Sequence, residues 1–198
     1  MSDVAENINF LKTTWLLIFK PSAAESILSQ KGRFVRALQY YFISLAIATV
    51  ISMAELMIIT NNHIKKPESF VIIFFDILYS CVMFIPFAAL IFIFMKTNLT
   101  DVAKLYLYFM GLWHLSIPMA TFLPRIAFRI GFEESSTELI EFIRCLVMAI
   151  IFGNISCVVF NRPVVYFWII FVVWRTIGAY FETYYHYLID PLWDRLSG

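Results

Sequence analysis

The chain has 198 residues, 61% of them hydrophobic, 18% aromatic and only 15% charged, with a mean hydropathy of +0.79. No soluble core of this length hides so much apolar side chain, so a soluble globular domain is excluded and a polytopic membrane protein is expected. The formal net charge of +1 provides neither a basic arm for nucleic acid nor an acidic tail. The odd set Cys81, Cys145 and Cys157 has no metal-like spacing and speaks against a disulfide framework.

Residues 1–36 read as a lead on the cytoplasmic side. Between Asn7 and Lys20, Ile8, Leu11, Trp15 and Ile18 or Phe19 recur at helical spacing opposite Asn9, Lys12 and Thr13, the pattern of an amphipathic helix lying in the membrane interface. Pro21 interrupts it, and Ser22 with Glu25 forms a capping box that starts a second short helix through Ser29. The start of the chain has no short basic head followed by an A-x-A-like site, so the first span is expected to remain in the mature protein.

Five apolar runs follow, at about 37–54, 77–95, 105–124, 145–161 and 163–174. Each, with its polar ends, reaches the ~20 residues that carry a helix across ~30 Å of hydrocarbon. The expected fold class is therefore all-α, a polytopic membrane protein with five transmembrane helices in one domain, 37–198, behind the N-terminal interfacial helix. Helix starts are readable at Thr100 and at Ser135 with Glu138, and Asn161 to Pro163 is a tight turn between the fourth and fifth spans. Pro86 and Pro118 fall inside the second and third spans, where each frees a carbonyl and kinks its helix.

Orientation follows from the cations near the span ends. Lys12, Lys20, Lys31, Arg33, Arg36, Lys96, Lys104 and Arg162 fall on the N-terminal side, against Lys65, Lys66, Arg125, Arg129 and Arg195 opposite. The excess predicts a cytoplasmic N-terminus and an external C-terminus. Tyr180, Phe181, Tyr184, Tyr185, Tyr187 and Trp193 then form an aromatic belt at the outer surface.

Ionisable groups inside the spans are the most informative residues, because each costs about 2.5–3.5 kcal/mol on insertion scales and needs a partner or water. At ~1.5 Å per residue, Glu55, Asp76 and Glu182 come out roughly 27–28 Å from the cytoplasmic end, Arg144 at about 24 Å, and His114 and Arg175 near 18 Å. These six are the candidate ligand or ion-path residues. The bland alternative is that they pair and lock the bundle, with end residues such as Glu182 snorkelling. His114 has no second His or Cys at i+3 or i+4, which favours a hydrogen-bonded interior histidine over a metal ligand. The triplets Asn98-Leu-Thr100 and Asn154-Ile-Ser156 fall on the cytoplasmic side or within a span, so glycosylation is not expected there. No P-loop, G-x-S-x-G, H-E-x-x-H or GxxxG motif occurs, and nothing in the sequence sets a nucleophile beside a base.

Phe19-Lys20-Pro21, a short helix, Arg36-Ala37-Leu38 opening the first span, and five spans in under 200 residues together resemble the prokaryotic branch of the Yip (Ypt/Rab-interacting protein) family. The run from Asp101 to Gly111, followed by Ile117-Pro118, is similar to the tyrosine-rich third span of such proteins, while the aspartate-glycine-proline pattern of eukaryotic members is absent. The resemblance implies a bacterial inner-membrane protein that organises membrane or binds partners, without enzymatic residues. The expected function is thus a non-enzymatic scaffold or accessory subunit of a membrane complex or lipid process. Its partners would be membrane lipids and other membrane subunits or a second copy of the chain, with no nucleic acid, no cofactor and no metal. The alternative is a transporter or channel subunit with an outward-facing polar cavity. A membrane-embedded lipid enzyme requires the outer acids and His114 to converge.

Overall fold

The computed structural model of the chain describes residues 9–29, 34–60, 66–95, 97–129 and 135–197, with side-chain surroundings for 9–28, 34–54, 77–95, 97–118, 120 and 138–184. The described residues form helices and no strand. In chain order these are α1 (Phe10–Phe19), α2 (Ser22–Ser29), α3 (Phe34–Thr60), α4 (Lys66–Phe94), α5 (Leu99–Arg129), α6 (Ser135–Phe160) and α7 (Val164–Ser197).

Local chemistry sets several of these boundaries. Asn9 caps α1 by accepting the Lys12 amide at 3.0 Å, and the first amides of α2, from Ala23 and Ala24, go to the Lys20 and Pro21 carbonyls. The cap of α5 is Asn98 rather than Thr100, since its side-chain oxygen accepts the Thr100 and Asp101 amides at 2.7 and 3.2 Å. The tight turn after α6 is a Schellman closure. Asn161 is left-handed with φ 49°, the Arg162 amide reaches back to the Cys157 carbonyl at 3.2 Å, and Pro163 prevents α6 from continuing. Helix α4 runs through Pro86 without a break.

Ring contacts fix the relative directions of the long helices. Tyr40 meets Tyr108 and, one turn on in both helices, Ser44 faces Gly111, so α3 runs parallel to α5. Phe84 meets Tyr106 and Ser80 meets His114, so α4 runs antiparallel to α5. Phe109 meets Phe152, while Ser116 meets Arg144, so α6 is antiparallel as well. Phe87 meets Trp174 and Tyr79 meets Phe181, which makes α7 antiparallel to α4. The result is an up-and-down bundle with α5 at its centre.

Two glycines allow the closest approaches. A Cβ at Gly111 of α5 would sit 2.8 Å from the ring of Tyr40 and 3.0 Å from Ser44, and one at Gly153 of α6 would sit 2.5 Å from the Trp168 indole nitrogen. Neighbouring side chains thus pack directly on the glycine backbones, the close approach that small residues permit between membrane helices. Between the helices lies an aromatic core in which Phe87, Tyr106, Phe109, Trp113, Phe152, Phe167, Phe171 and Trp174 are all buried. The Trp174 indole donates to the Met83 carbonyl at 3.0 Å, satisfying its one polar atom inside that core.

Large apolar side chains also point outward, Ile85, Ile93, Phe142 and Val172 among them at 61–74% exposure, which identifies hydrocarbon as the surrounding medium. Among the described residues, four helices contain a stretch long and apolar enough to cross a membrane, namely Phe34–Ala54, Ile77–Phe94, Glu138–Phe160 and Val164–Tyr184. Helix α5 is absent from this set although its 31 residues extend about 46 Å. Its burial explains the difference, because a helix shielded by its neighbours can carry Lys104, His114 and Ser116 without meeting lipid.

The lead is packed against the bundle. Phe10 stacks on Tyr40 with centroids 5.1 Å apart, the Thr14 and Tyr40 hydroxyls lie 2.9 Å apart, and Leu17 is fully buried. On α2, Ala24 and Leu28 are buried, and the buried Lys104 ammonium of α5 donates to the Leu28 carbonyl and to Asp101, each at 3.1 Å. A cation is thereby placed on the negative end of the α2 dipole.

Candidate functional site

Among the described residues, the two arginines in the half of the bundle far from the lead gather around one indole. Trp113 on α5 has the Arg144 guanidinium of α6 at 4.3 Å from its ring centroid and the Arg175 guanidinium of α7 at 5.5 Å. Both are within cation–π range, which is worth most where water is excluded. Each arginine also has a carboxylate on its own helix. Arg144 grips Glu141, one turn back, through two nitrogens, with Nε to Oε2 at 2.8 Å, and its third group donates to the Ser116 hydroxyl of α5 at 3.2 Å. Arg175 donates from Nη1 to Glu182 Oε1, two turns on, at 3.0 Å. The Tyr79 hydroxyl of α4 donates to the same carboxylate oxygen at 2.9 Å.

Charge is balanced locally, two guanidiniums against two carboxylates. The arginine side chains are the more buried members, 12% and 25% exposed against 39% and 42% for Glu141 and Glu182. A bidentate fork plus a hydroxyl uses all three nitrogens of Arg144, so it is held by planar recognition and not merely by proximity. Cys145 belongs to the same group, its thiol 3.6 Å from Glu141 Oε1. The arrangement can join α4, α5, α6 and α7 at one level, and its thiol, Cys145, donates to a carboxylate already gripped by Arg144.

Of the six residues singled out in the sequence, the structure brings together Arg144, Arg175 and Glu182. His114 is turned elsewhere. It is 3% exposed, lies on the side of α5 that meets α3 and α4, has Nε2 3.4 Å from the Ser80 hydroxyl and meets the Tyr41 ring edge-on at 5.6 Å. The side chains of Glu55 and Asp76 lie outside the described residues. Among the described residues no group of three or more His, Cys, Asp or Glu is placed to hold a metal ion.

Sequence reasoning missed Glu141, Trp113, Ser116 and Tyr79. Glu141 was findable, since a carboxylate three residues before an arginine on a helix is a ready ion-pair spacing. Trp113, Ser116 and Tyr79 join the site only through the rotation of α4 and α5, which no spacing within one helix reveals. No protein-family profile matches the chain, and no curated protein or solved structure is significantly similar to it.

Proposed function

We propose that this chain is a non-enzymatic integral membrane component, a five-crossing scaffold or accessory subunit whose N-terminus and lead helices face the cytoplasm. The observation that carries this reading is how the intramembrane arginines are used. Arg144 and Arg175 donate to carboxylates of their own helices and share the Trp113 face. A polar path through the arginines needs guanidiniums that solvent or substrate can reach, whereas these two are 12% and 25% exposed, neutralised and stacked on Trp113, as groups that lock a bundle are. The outward faces of α3, α4, α6 and α7 are apolar, suited to lipid and to neighbouring membrane helices. The resemblance to the prokaryotic Yip branch supports the same role and a bacterial inner-membrane location.

The test has two arms on the intact protein. Affinity purification in mild detergent with mass spectrometry is expected to recover a membrane partner in stoichiometric amount. Purified protein in proteoliposomes is expected to leave proton and ion flux at the empty-vesicle level. Flux above that level, lost in a folded Arg175→Gln variant, would replace the scaffold with the transporter.

A further inference from the structure

Helices α3 and α4 each lie against α5, and between them runs a groove of about 290 Å³, floored by Ala103, Tyr106 and Leu107. Its walls are Phe34, Leu38 and Phe42 on one side and Ile77 and Phe84 on the other. Two of the polar groups along it are engaged elsewhere. Tyr106 donates its hydroxyl to the Ser80 carbonyl at 2.6 Å, and the Ser80 hydroxyl is directed to His114. The groove therefore presents carbon.

Both walls belong to stretches apolar enough to cross a membrane, Phe34–Ala54 and Ile77–Phe94, so the medium at its mouth is hydrocarbon. A void of this size in hydrocarbon leaves its lining without van der Waals partners, and something apolar fills it. An engineered apolar cavity of ~150 Å³ already takes up benzene, and this one is nearly twice as large. What hydrocarbon brings to the mouth of such a groove is the acyl chain of a lipid, apolar along its length. A single flexible hydrocarbon chain has the thinness and the polarity that fit.

We infer that the α3–α4 groove is a binding site for one acyl chain of a membrane phospholipid, seated on α5 and distinct from the fluid lipid around the bundle. The inference rests on the membrane reading alone and holds for a scaffold or a transporter.

Full-length protein in phosphatidylcholine vesicles doped with phosphatidylcholine carrying a diazirine in mid-acyl chain distinguishes the two kinds of lipid. Photolysis and peptide mapping should give several-fold more adduct on Leu107 than on Val172 of α7. Lipid that merely surrounds the bundle labels by exposure and gives the reverse order, since Val172 is 61% exposed and Leu107 is partly buried on the groove floor. That reversed order would overturn the proposal. Ala103→Trp, which fills the floor, is expected to abolish the excess on Leu107. If that variant does not fold, the wild-type ratio already decides. Cys81, in the groove wall, reports the competing occupant in a Cys145→Ser, Cys157→Ser background. Efficient linking of two copies through Cys81 by a bifunctional thiol reagent, with no excess on Leu107, would assign the groove to a second copy.

Discussion

Arg144 brings a full charge into a region where an unpaired ion costs about 2.5–3.5 kcal/mol, and the Glu141 fork, the Ser116 hydroxyl and the Trp113 face together offset it. Arg144→Met leaves Glu141 without its partner. Because that carboxylate is 39% exposed and can rotate outward, the loss should be on the order of 1–2 kcal/mol, below the 3–5 of a fully buried pair. Pairing Arg144→Met with Glu141→Gln should cost less than the sum of the two single changes. Reversible unfolding in mixed detergent micelles measures the cycle, and simple additivity would remove the ion pair from the account. The two close-approach glycines give a sharper contrast. Gly111→Ala drives a methyl into Tyr40, which is fully buried, stacked on Phe10 and tied to Thr14, and overpacking of that kind costs about 1–3 kcal/mol. Gly153→Ala meets Trp168, 43% exposed and free to swing toward lipid, so the melting temperature in detergent should fall less. Legibility at this scale divides on geometry. Depth along the spans put Glu182 roughly 27–28 Å and Arg175 near 18 Å from the cytoplasmic end, and left the pairing open among the six residues. The described pairs are intrahelical, since depth says nothing about azimuth and long side chains bridge two turns of one helix.

Helix α1 illustrates what periodicity can and cannot give. Leu11, Trp15 and Phe19 do form a stripe, and it faces out at 58–78% exposure. The inward stripe of Phe10, Thr14 and Leu17 was hidden by Thr14, a polar residue whose hydroxyl is used against Tyr40. The helix thus has two working faces, one docked on α3 and one suited to lipid, and the belt pair Trp15–Phe19, with centroids 4.2 Å apart, lies on the second. Trp15 is therefore expected in the headgroup region. With the other four tryptophans replaced by Phe, Trp15 emission should be quenched by lipid brominated near the carbonyl and only weakly by aqueous iodide. Quenching by iodide as efficient as for free indole would place the stripe in water. Short polar motifs proved reliable elsewhere. The α2 range and the Asn161–Pro163 turn follow from Pro and Asn chemistry that acts within a few residues, although the Ser22–Glu25 capping box does not form, since the first α2 amides go to the Lys20 and Pro21 carbonyls. The start of α5 was read two residues late, because Asn98 and Thr100 are both good caps and only the backbone path decides between them.

At the scale of the molecule, the apolar runs made the helical membrane class legible, whereas the central place of α5 was not. A helix with Lys104, His114 and Ser116 reads as the weakest span, yet it is the one the others surround. Its course also bears on how many times the chain crosses. Helices α4 and α6 are both antiparallel to α5, on contacts that run from Phe84–Tyr106 to Ser80–His114 and from Phe109–Phe152 to Ser116–Arg144. They are therefore parallel to each other. Two parallel helices in sequence require the chain to return through the membrane between them, and α5, about 46 Å long, is the segment available. With α3 parallel to α5, and α7 antiparallel to α4, the proposed five crossings predict two ends on opposite sides. The excess of eight cations expected on the lead side over five opposite, Lys12, Lys20, Arg36, Lys104 and Arg162 among the eight, makes the lead end the proposed cytoplasmic side. Single cysteines at Ser2 and Ser197, in a chain whose native cysteines are changed to serine, test both statements. In intact cells a membrane-impermeant maleimide should label position 197 and leave position 2 unlabelled until the membrane is opened. Labelling of both positions, or of neither, would mean an even number of crossings with α5 outside the bilayer, and labelling of position 2 alone would invert the orientation.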